Sequence, residues 1–287
     1  MITKLESVVP EGIENMSAAA YLDRAFPLLG KGRISRLLSE RQLRVNGEKT
    51  GAGSSVNGGD TLALYVDGGY DRSLKLLYDL GGLVAFIKPR GLPSDADENG
   101  IGEDTALSRL KLIHPGARLA HRLDAGTYGV MLAATDAETL ALLEDLFRQH
   151  LLIKRYSATV VGRMPKPHDA LKAYLVKDAA SSRVRVSDRR VQNALEIETD
   201  YFVRRSYAKN GIELSRLSIV IPTGRTHQIR AHLAHVGHPL LGDDKYGDRS
   251  VNRILGVSAV DLRCDEISIK SVPEAGIFAG MRFALEK

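Results

Sequence analysis

The chain has 287 residues and a mass of 31.3 kDa, a length that predicts one catalytic-sized domain with a smaller appended module. Its apolar fraction of 44% suffices for a globular core, and its single cysteine, Cys264, excludes internal disulfides and zinc sites built from several cysteines. No apolar run approaches the roughly 18 residues that cross a bilayer, and the N-terminal residues lack the apolar core of a secretion signal. We therefore expect a cytoplasmic protein with no membrane partner.

Positive charge is concentrated in three stretches of the sequence. Residues 31–49 contain six basic and two acidic side chains, and residues 148–167 contain five basic and no acidic ones. Residues 181–230 contain ten basic against five acidic side chains. Together with a formal net charge of +5, this clustering predicts a polyanionic partner; the alternative is a solvated surface with scattered lysine and arginine.

The first seventy residues predict a small αβ module. Ser17 is a candidate N-cap for a helix over residues 18–29, and the apolar spacing predicts a second helix over residues 34–40. A short strand then leads into Asn46-Gly47, a pair typical of tight turns, and residues 61–66 show the pattern of a returning strand.

Two short helices followed by a strand that ends in Arg-Val-Asn-Gly resemble the S4 RNA-binding domain, over about residues 17–66. The resemblance implies that Arg33, Arg36 and Arg41 face the phosphate backbone of an RNA, a contact that gives salt-sensitive affinity with little sequence information. The alternative is that these arginines only cover solvated helix faces. We place this S4-like module at residues 1–70.

The remainder of the chain predicts an α+β domain. Residues 67–75 are rich in glycine and charge and are predicted to form a linker. Beyond them, strands outnumber helices and do not alternate with them regularly, which argues against a doubly wound sheet. The predicted strands are 83–87, 129–134, 156–161, 197–203 and 214–221; the predicted helices are one that starts at a capping box at residues 135–138 and ends near His150, and one over residues 226–236; residues 94–104 are a predicted loop.

Three stretches carry residue types that suit catalysis. Residues 120–129 read Ala-His-Arg-Leu-Asp-Ala-Gly-Thr-Tyr-Gly, which places the Asp124 carboxylate in a glycine-rich turn before a strand. Lys154-Arg155-Tyr156 brings a tyrosine into a strand from a basic turn. Residues 222–247 begin Pro-Thr-Gly-Arg-Thr-His-Gln-Ile-Arg-Ala-His and end Gly-Asp-Asp-Lys-Tyr-Gly. By itself, an arginine close to an aspartate in a turn is usually a surface ion pair.

In this order the three stretches resemble the signature of the RluA-type pseudouridine synthases, over about residues 80–247. The resemblance implies a pseudouridine synthase-type catalytic domain with a mixed, largely antiparallel sheet, which we place at residues 76–287. It also implies an RNA isomerase that breaks the N-glycosidic bond of a uridine and rejoins the uracil through C5. The family needs no metal and no organic cofactor.

The resemblance assigns roles to individual residues. Asp124 matches the catalytic aspartate, which either adds covalently to the nucleoside or removes a ribose proton to give a glycal; both routes stay open. Arg230 matches the basic residue that pairs with this aspartate, and Tyr156 matches the tyrosine that stacks on the target base. Arg122 matches the arginine that helps to hold the nucleotide out of its stack, and Arg225 is expected to bind RNA.

One residue departs from the family pattern. Tyr128 stands where the family usually has Ser or Thr, and it places bulk near the aspartate.

Four histidines, His227, His232, His235 and His238, could suggest a metal centre. They fall at different azimuths of one helix and do not form the H-E-x-x-H arrangement, so no metal site is expected.

The expected partner is RNA. Family members that carry an S4 domain mostly resemble enzymes acting on large-subunit ribosomal RNA, so 23S rRNA is the expected substrate, and a tRNA-directed synthase is the alternative. A third reading is a non-catalytic RNA-binding or ribosome-assembly protein on the same fold. The presence of Asp124, Tyr156 and Arg230 together favours the enzyme. The expected oligomeric state is a monomer.

Overall fold

The computed structural model describes residues 2–178 and 183–286, which form two compact units. The first unit comprises the residues up to Lys75 together with Gly91–Ala117. The second comprises Leu76–Arg90 and the residues from Arg118 onward. The segment Gly91–Ala117 therefore packs within the first unit, whereas the sequence-based division groups it with the catalytic domain.

The first unit is built from two small antiparallel sheets and three helices. The strands are β1 (Ile2–Val8), β2 (Met16–Ser17), β3 (Leu43–Val45), β4 (Glu48–Thr50), β5 (Ser55–Val56) and β6 (Thr61–Asp67), and the helices are α1 (Ala18–Ala25), α2 (Lys31–Ser39) and α3 (Ala106–Lys111). The larger sheet has the strand order β1-β6-β3-β4, and β2 pairs with β5.

Local sequence signals account for most boundaries in this unit. The Ser17 hydroxyl caps α1 by accepting a hydrogen bond from the backbone N–H of Ala20 at 3.2 Å. The helix ends earlier than residue 29, because Pro27 cannot continue it and starts a separate 3-10 turn, Pro27–Leu29. Asn46 and Gly47 both adopt positive φ, at 51° and 85°, as the tight turn between β3 and β4 requires.

A buried ion pair organises the segment Gly91–Ala117 inside the first unit. The Asp104 carboxylate is fully buried and accepts hydrogen bonds from Nε and Nη2 of Arg109 at 2.7 and 2.9 Å. The Tyr70 hydroxyl donates to the same carboxylate, and its ring packs against the apolar core of this unit. Tyr70 is half-buried, so this part of the predicted linker, residues 67–75, contacts the first unit.

The second unit is dominated by one large sheet. In the described part of the chain this sheet contains eleven strands: β7 (Lys75–Leu80), β8 (Leu83–Lys88), β9 (Arg118–Leu119), β10 (Tyr128–Ala134), β11 (Leu152–Val161), β12 (His168–Lys177), β13 (Val184–Ser187), β14 (Leu195–Lys209), β15 (Ile212–Ile221), β16 (Leu262–Ile269) and β17 (Arg282–Ala284). Their order is β13-β12-β14-β15-β11-β16-β10-β8-β7, with β17 paired to β16 and β9 paired to β10.

The helices of the second unit are α4 (Ala137–Arg148), α5 (Gln228–His235) and α6 (Arg249–Leu255), followed by a 3-10 segment, Pro273–Phe278. The helix α4 is capped by Asp136, whose carboxylate accepts from the N–H of Thr139 at 2.7 Å. The predicted capping residue was one position earlier, at Thr135, whose hydroxyl instead donates to the carbonyl of Gly82. None of the helices in residues 2–178 and 183–286 is long and apolar enough to span a bilayer.

Two strands of the large sheet are apolar because nearly all of their residues are buried. Every residue of β8 is buried, and all but the first residue of β10 are buried, so both strands read as nearly continuous apolar runs. The strand β10 pairs antiparallel with β8 and parallel with β16, whereas β11 pairs antiparallel with β16. These pairings confirm the predicted α+β class with a mixed, largely antiparallel sheet.

A glycine marks the start of β10. Gly129 has φ of 137° and pairs with Cys264 of β16, and a Cβ added to it would collide with the Cys264 carbonyl. Only glycine therefore lets the preceding loop enter the sheet this close to β16.

We expect Gly129→Ala to destabilise the second unit by about 3 kcal/mol or more, because the new methyl group meets backbone that cannot move aside. Gly211→Ala is the matched control: Gly211 also has positive φ, at 76°, but nothing lies within 4 Å of an added Cβ, so its cost should stay near 1 kcal/mol. Chemical denaturation of both variants measures the difference, and equal losses would show that the close approach at Gly129 is unimportant.

We expect Asp104→Ala to destabilise the first unit by about 3–5 kcal/mol, because it leaves the guanidinium of Arg109 buried without its counter-charge. Glu6→Ala serves as control, since it removes only an exposed pair with Lys4 and should change stability by less than about 1 kcal/mol. Hydrogen exchange followed by mass spectrometry reports the opening of each unit separately. Exchange in the first unit that is no faster in Asp104→Ala than in Glu6→Ala would contradict the role assigned to this pair.

Candidate active site

The aspartate loop, residues 120–127, connects β9 to β10 and carries Asp124. The loop closes in a turn in which the N–H of Thr127 donates to the Asp124 carbonyl at 2.9 Å. The Asp124 side chain is 24% exposed, so its carboxylate is held by the protein and still reachable from solvent. This is the combination that a reacting carboxylate requires.

The half-buried His121 and the buried Lys88 connect the aspartate loop to the sheet. His121 Nε2 accepts a hydrogen bond from the N–H of Leu132 in β10 at 3.0 Å, and burial, helped by the charge of Lys154, lowers the pKa of His121 to about 3. The ammonium of Lys88, at the end of β8, donates to the carbonyl of Ala125 at 3.1 Å. Burial lowers the pKa of Lys88 to about 7, although the nearby Asp124 carboxylate acts in the opposite direction.

Arg230 reaches the site from α5, but its principal partner is a second aspartate. Its Nε and Nη2 donate to the two carboxylate oxygens of Asp243 at 2.7 and 2.8 Å, and Nη2 also lies 3.1 Å from Asp244. The distance from Nη1 to Asp124 Oδ2 is 3.7 Å. Arg230 thus approaches Asp124 as predicted, but it is positioned by Asp243.

Asp243 is itself fully buried and accepts hydrogen bonds from the backbone N–H groups of Lys245 and Tyr246, at 2.9 and 3.0 Å. Burial acts to raise the pKa of Asp243, but the hydrogen bonds from Arg230 and from the backbone outweigh it, and the net pKa is lowered. The carboxylate is therefore charged at neutral pH, and it orders the 242–247 turn together with Arg230.

His227 is a further hydrogen-bonding group close to Asp124. It lies just before α5 in a left-handed conformation with φ of 52°, so the helix begins at Gln228 rather than at residue 226. Its Nε2 is 3.9 Å from Asp124 Oδ2, and its Nδ1 is 3.0 Å from the Tyr246 hydroxyl. His227 is not among the predicted site residues.

Tyr156 lies on β11, is only 5% exposed and is within electrostatic reach of Asp124. Burial raises the pKa of its phenol well above the ordinary value, and the neighbouring Cys264 and Asp124 add to this effect. The phenol is therefore protonated at neutral pH and acts as a hydrogen-bond donor or an apolar surface.

The two arginines predicted to contact RNA from this unit are both exposed. Arg122 lies on the aspartate loop, two residues before Asp124, and Arg225 lies in the loop that leads to α5. Burial lowers the pKa of Lys154, the nearby Cys264 opposes this effect, and the charge of Arg225 lowers the pKa further. Both guanidinium groups are placed where a polyanion can reach them.

The arginines predicted to contact RNA from the first unit have partners within that unit. Arg33 donates to the carbonyl oxygens of Asp67 and Gly69, and Arg36 forms an ion pair with the Asp67 carboxylate at 2.9 Å. Arg41 follows α2 with positive φ and donates to the carbonyl of Lys49. They are not part of the Asp124 cluster in the second unit, and their contact with RNA remains a prediction.

The four histidines of the third stretch have separate partners. His232 is buried and hydrogen-bonds to Thr199, His235 pairs with Asp188, and His238 contacts the carbonyl of Val161. Among residues 2–178 and 183–286, no group of three His, Cys, Asp or Glu side chains is arranged to hold a metal ion.

The comparison with protein families matches residues 82–235 to the model described as RNA pseudouridylate synthase. Among curated proteins, "Ribosomal large subunit pseudouridine synthase C" of Rickettsia conorii is 30% identical over 252 residues, which cover 80% of this chain and 82% of the relative. The protein of the same description from Vibrio cholerae is also 30% identical, over 80% of this chain and 76% of the relative.

Among solved structures, human RNA Pseudouridylate Synthase Domain Containing 1 aligns with a TM-score of 0.60 at 20% identity, over 77% of this chain and 94% of that one. Human RNA Pseudouridylate Synthase Domain Containing 4 aligns with a TM-score of 0.58 at 23% identity, over 74% and 88% of the two chains. These alignments support the fold, and the family match spans the segment that holds Asp124, Tyr156 and Arg230. The chain belongs to the RNA pseudouridylate synthase family, as its three motifs predict.

Proposed function

We propose that this protein converts uridines of large-subunit ribosomal RNA, 23S rRNA, to pseudouridine, with Asp124 as the reacting carboxylate. The observation that carries the proposal is the geometry at Asp124: a partly exposed carboxylate with the donors of Arg230 and His227 at 3.7 and 3.9 Å from one of its oxygens. The choice of RNA rests on the curated relatives, which are described as large-subunit synthases.

The reaction exchanges one bond for another within a single nucleoside. The N1–C1′ bond of uridine breaks, the uracil turns, and C5 bonds to C1′; the proton leaves C5 and a proton is restored at N1. Asp124 serves this exchange either by adding to C1′ or by taking the C2′ proton to give a glycal, and both routes need an oriented carboxylate. Arg230 and His227 face Oδ2, so Oδ1 is the oxygen offered to the nucleotide.

The target base has to leave its stack before Asp124 can reach the glycosidic bond. Arg122, exposed on the aspartate loop, is the side chain we assign to holding the flipped nucleotide. Tyr156 offers its ring and protonated phenol to the uracil, and Arg225 offers its charge to the RNA backbone. The site thereby combines one reacting group with binding groups drawn from three separate motifs.

The first unit supplies the proposed docking surface. We propose that the S4-like module, residues 1–70, binds RNA through Arg33, Arg36 and Arg41, while the catalytic domain, residues 76–287, carries the reaction. The Arg36–Asp67 pair is exposed and contributes little to stability, so its guanidinium can exchange the carboxylate for a phosphate at small cost. The protein acts as a cytoplasmic monomer without a metal or organic cofactor in this proposal.

Asp124→Asn should abolish the release of tritium from RNA labelled at uridine C5, because an amide can neither add to C1′ nor remove a proton. RNA affinity should change by less than about threefold, since the substitution is nearly isosteric and the arginines remain. Asp188→Asn, at an exposed carboxylate paired with His235, is the control. Full tritium release by Asp124→Asn would contradict the assignment.

Asp243→Asn should lower the rate of tritium release by about tenfold to a hundredfold, because it removes the charge that positions Arg230. Asp244→Asn is the matched control: this neighbouring carboxylate also touches Arg230 but is 81% exposed, so its loss should change the rate by less than threefold. An equal loss of rate in both variants would show that the burial of the Arg230–Asp243 pair does not determine the rate.

The RNA itself can be identified in a strain that lacks this protein. Carbodiimide treatment followed by primer extension maps pseudouridines in 23S rRNA, and one or more sites should vanish and return when the wild-type gene is restored. The Asp124→Asn gene is the control and should not restore them. If every 23S site persists while a tRNA site is lost, the tRNA-directed alternative replaces the proposal.

A further inference from the structure

A path of polar contacts leads from β13 to Asp124 through the side chains of Tyr246 and His227, to which the sequence motifs assign no role. The N–H of Val184 donates to the Tyr246 hydroxyl oxygen at 2.9 Å, and that oxygen lies 3.0 Å from Nδ1 of His227. The opposite ring nitrogen of His227, Nε2, lies 3.9 Å from Oδ2 of Asp124. The imidazole of His227 therefore stands between the hydroxyl and the carboxylate.

The hydrogen bonds assign the proton positions along this path. Of the two described partners of the Tyr246 hydroxyl, the Val184 amide can only donate, whereas Nδ1 of His227 can accept. The single hydroxyl proton is thus directed at Nδ1, and the neutral imidazole carries its own proton on Nε2. An N–H group consequently faces the Asp124 carboxylate.

The backbone at His227 supports a functional role for the ring. The residue has φ of 52° and ψ of 19°, a left-handed conformation that few non-glycine residues adopt, with asparagine, aspartate and histidine adopting it more often than the rest. Such conformations persist where the surrounding structure demands them, and they cluster at functional sites. Here it places the imidazole beside Asp124 at the start of α5, within 5.7 Å, centroid to centroid, of the Tyr246 ring.

We propose that Tyr246 and His227 form a histidine relay, in which the Tyr246 hydroxyl holds the His227 imidazole and the imidazole positions the Asp124 carboxylate. His227 is thus a positioning residue, and the inference rests on the proposed function. Nε2 of His227 and Nη1 of Arg230 both approach Oδ2, at 3.9 and 3.7 Å. These distances exceed a hydrogen bond, and contacts in catalytic sites commonly tighten when substrate binds. When Nε2 of His227 and Nη1 of Arg230 come within hydrogen-bond distance of Oδ2, they orient Oδ1 toward the nucleotide.

The relay depends on a neutral imidazole. Burial lowers the pKa of His227 below the ordinary 6.5. The charged or titratable groups that face its ring are Arg230 and Lys245, which lower the pKa further, Asp124 and Asp243, which oppose them, and the Tyr246 hydroxyl. At neutral pH the ring is therefore neutral. Below its pKa both ring nitrogens carry protons, so Nδ1 can no longer accept from Tyr246 and the imidazolium pairs with the carboxylate.

His227→Asn removes the imidazole but keeps the backbone conformation, because asparagine tolerates left-handed geometry. It therefore tests the side chain of His227 without a change in the backbone. We expect its single-turnover rate on 23S rRNA to fall by about tenfold, as for the loss of one hydrogen bond to a charged group. RNA affinity and melting temperature should stay unchanged. The wild-type rate should fall as the pH drops through the pKa of His227, which lies below 6.5, and this fall should be absent from the variant. His235→Asn is the matched control on the same helix and should keep both rate and pH profile.

Tyr246→Phe tests whether the two side chains act as one unit. It should lower the single-turnover rate several-fold, and the double variant with His227→Asn should be no slower than His227→Asn alone. Multiplicative losses, or a wild-type rate and pH profile in His227→Asn, would overturn the relay.

Nuclear magnetic resonance of the imidazole nitrogens tests the relay without RNA. In the wild type His227 should carry its proton on Nε2 at neutral pH, and Tyr246→Phe should shift it toward a mixture of the two tautomers. A wild-type proton on Nδ1 overturns the relay. If 23S rRNA proves not to be the substrate, this measurement still decides the relay, so the two failures are distinguishable.

Discussion

The buried ion pair between Arg230 and Asp243 is the constraint on which the site depends. Two charges removed from water are tolerated only when each satisfies the other, and here the guanidinium meets both oxygens of a fully buried carboxylate. The pair leaves Nη1 of Arg230 directed at Asp124. The same carboxylate accepts the backbone N–H of Tyr246, so the turn that supplies the Tyr246 hydroxyl is ordered by the same interaction.

The large sheet brings the parts of the site together. The aspartate loop leads into β10, Tyr156 lies on β11, and these strands are both neighbours of β16. The strand β15, which precedes the Arg225 loop and α5, pairs with the other side of β11. Segments separated by roughly a hundred residues therefore meet because of strand order, and Gly129 allows the closest approach by having no side chain against the Cys264 backbone.

The sequence predicted best those elements whose caps, turns and burial depend on residues close to one another along the chain. Ser17 as a cap, the Asn46-Gly47 turn and the buried run of β8 follow from hydrogen bonding and burial within a few residues. Contacts between distant segments could not be predicted in this way. The strand β16 was not predicted because its charged residues interrupt the apolar pattern. Its place in the sheet depends on pairing with β10 and β11. The contact of Tyr70 with the core of the first unit was likewise not predicted, because Tyr70 stands in a stretch rich in glycine and charge.

The sequence by itself determined the family and the α+β class, because its motifs have distinctive residue types in a distinctive order. The same motifs predicted Asp124, Tyr156 and Arg230 as site residues. Only the tertiary structure decided how those residues are held. Asp243 as the partner of Arg230, the left-handed backbone of His227 and the packing of Gly91–Ala117 in the first unit all follow from contacts between distant segments. The physical reason is that motifs record which groups are present, whereas burial and hydrogen-bond partners arise only when the sheet brings those groups into contact.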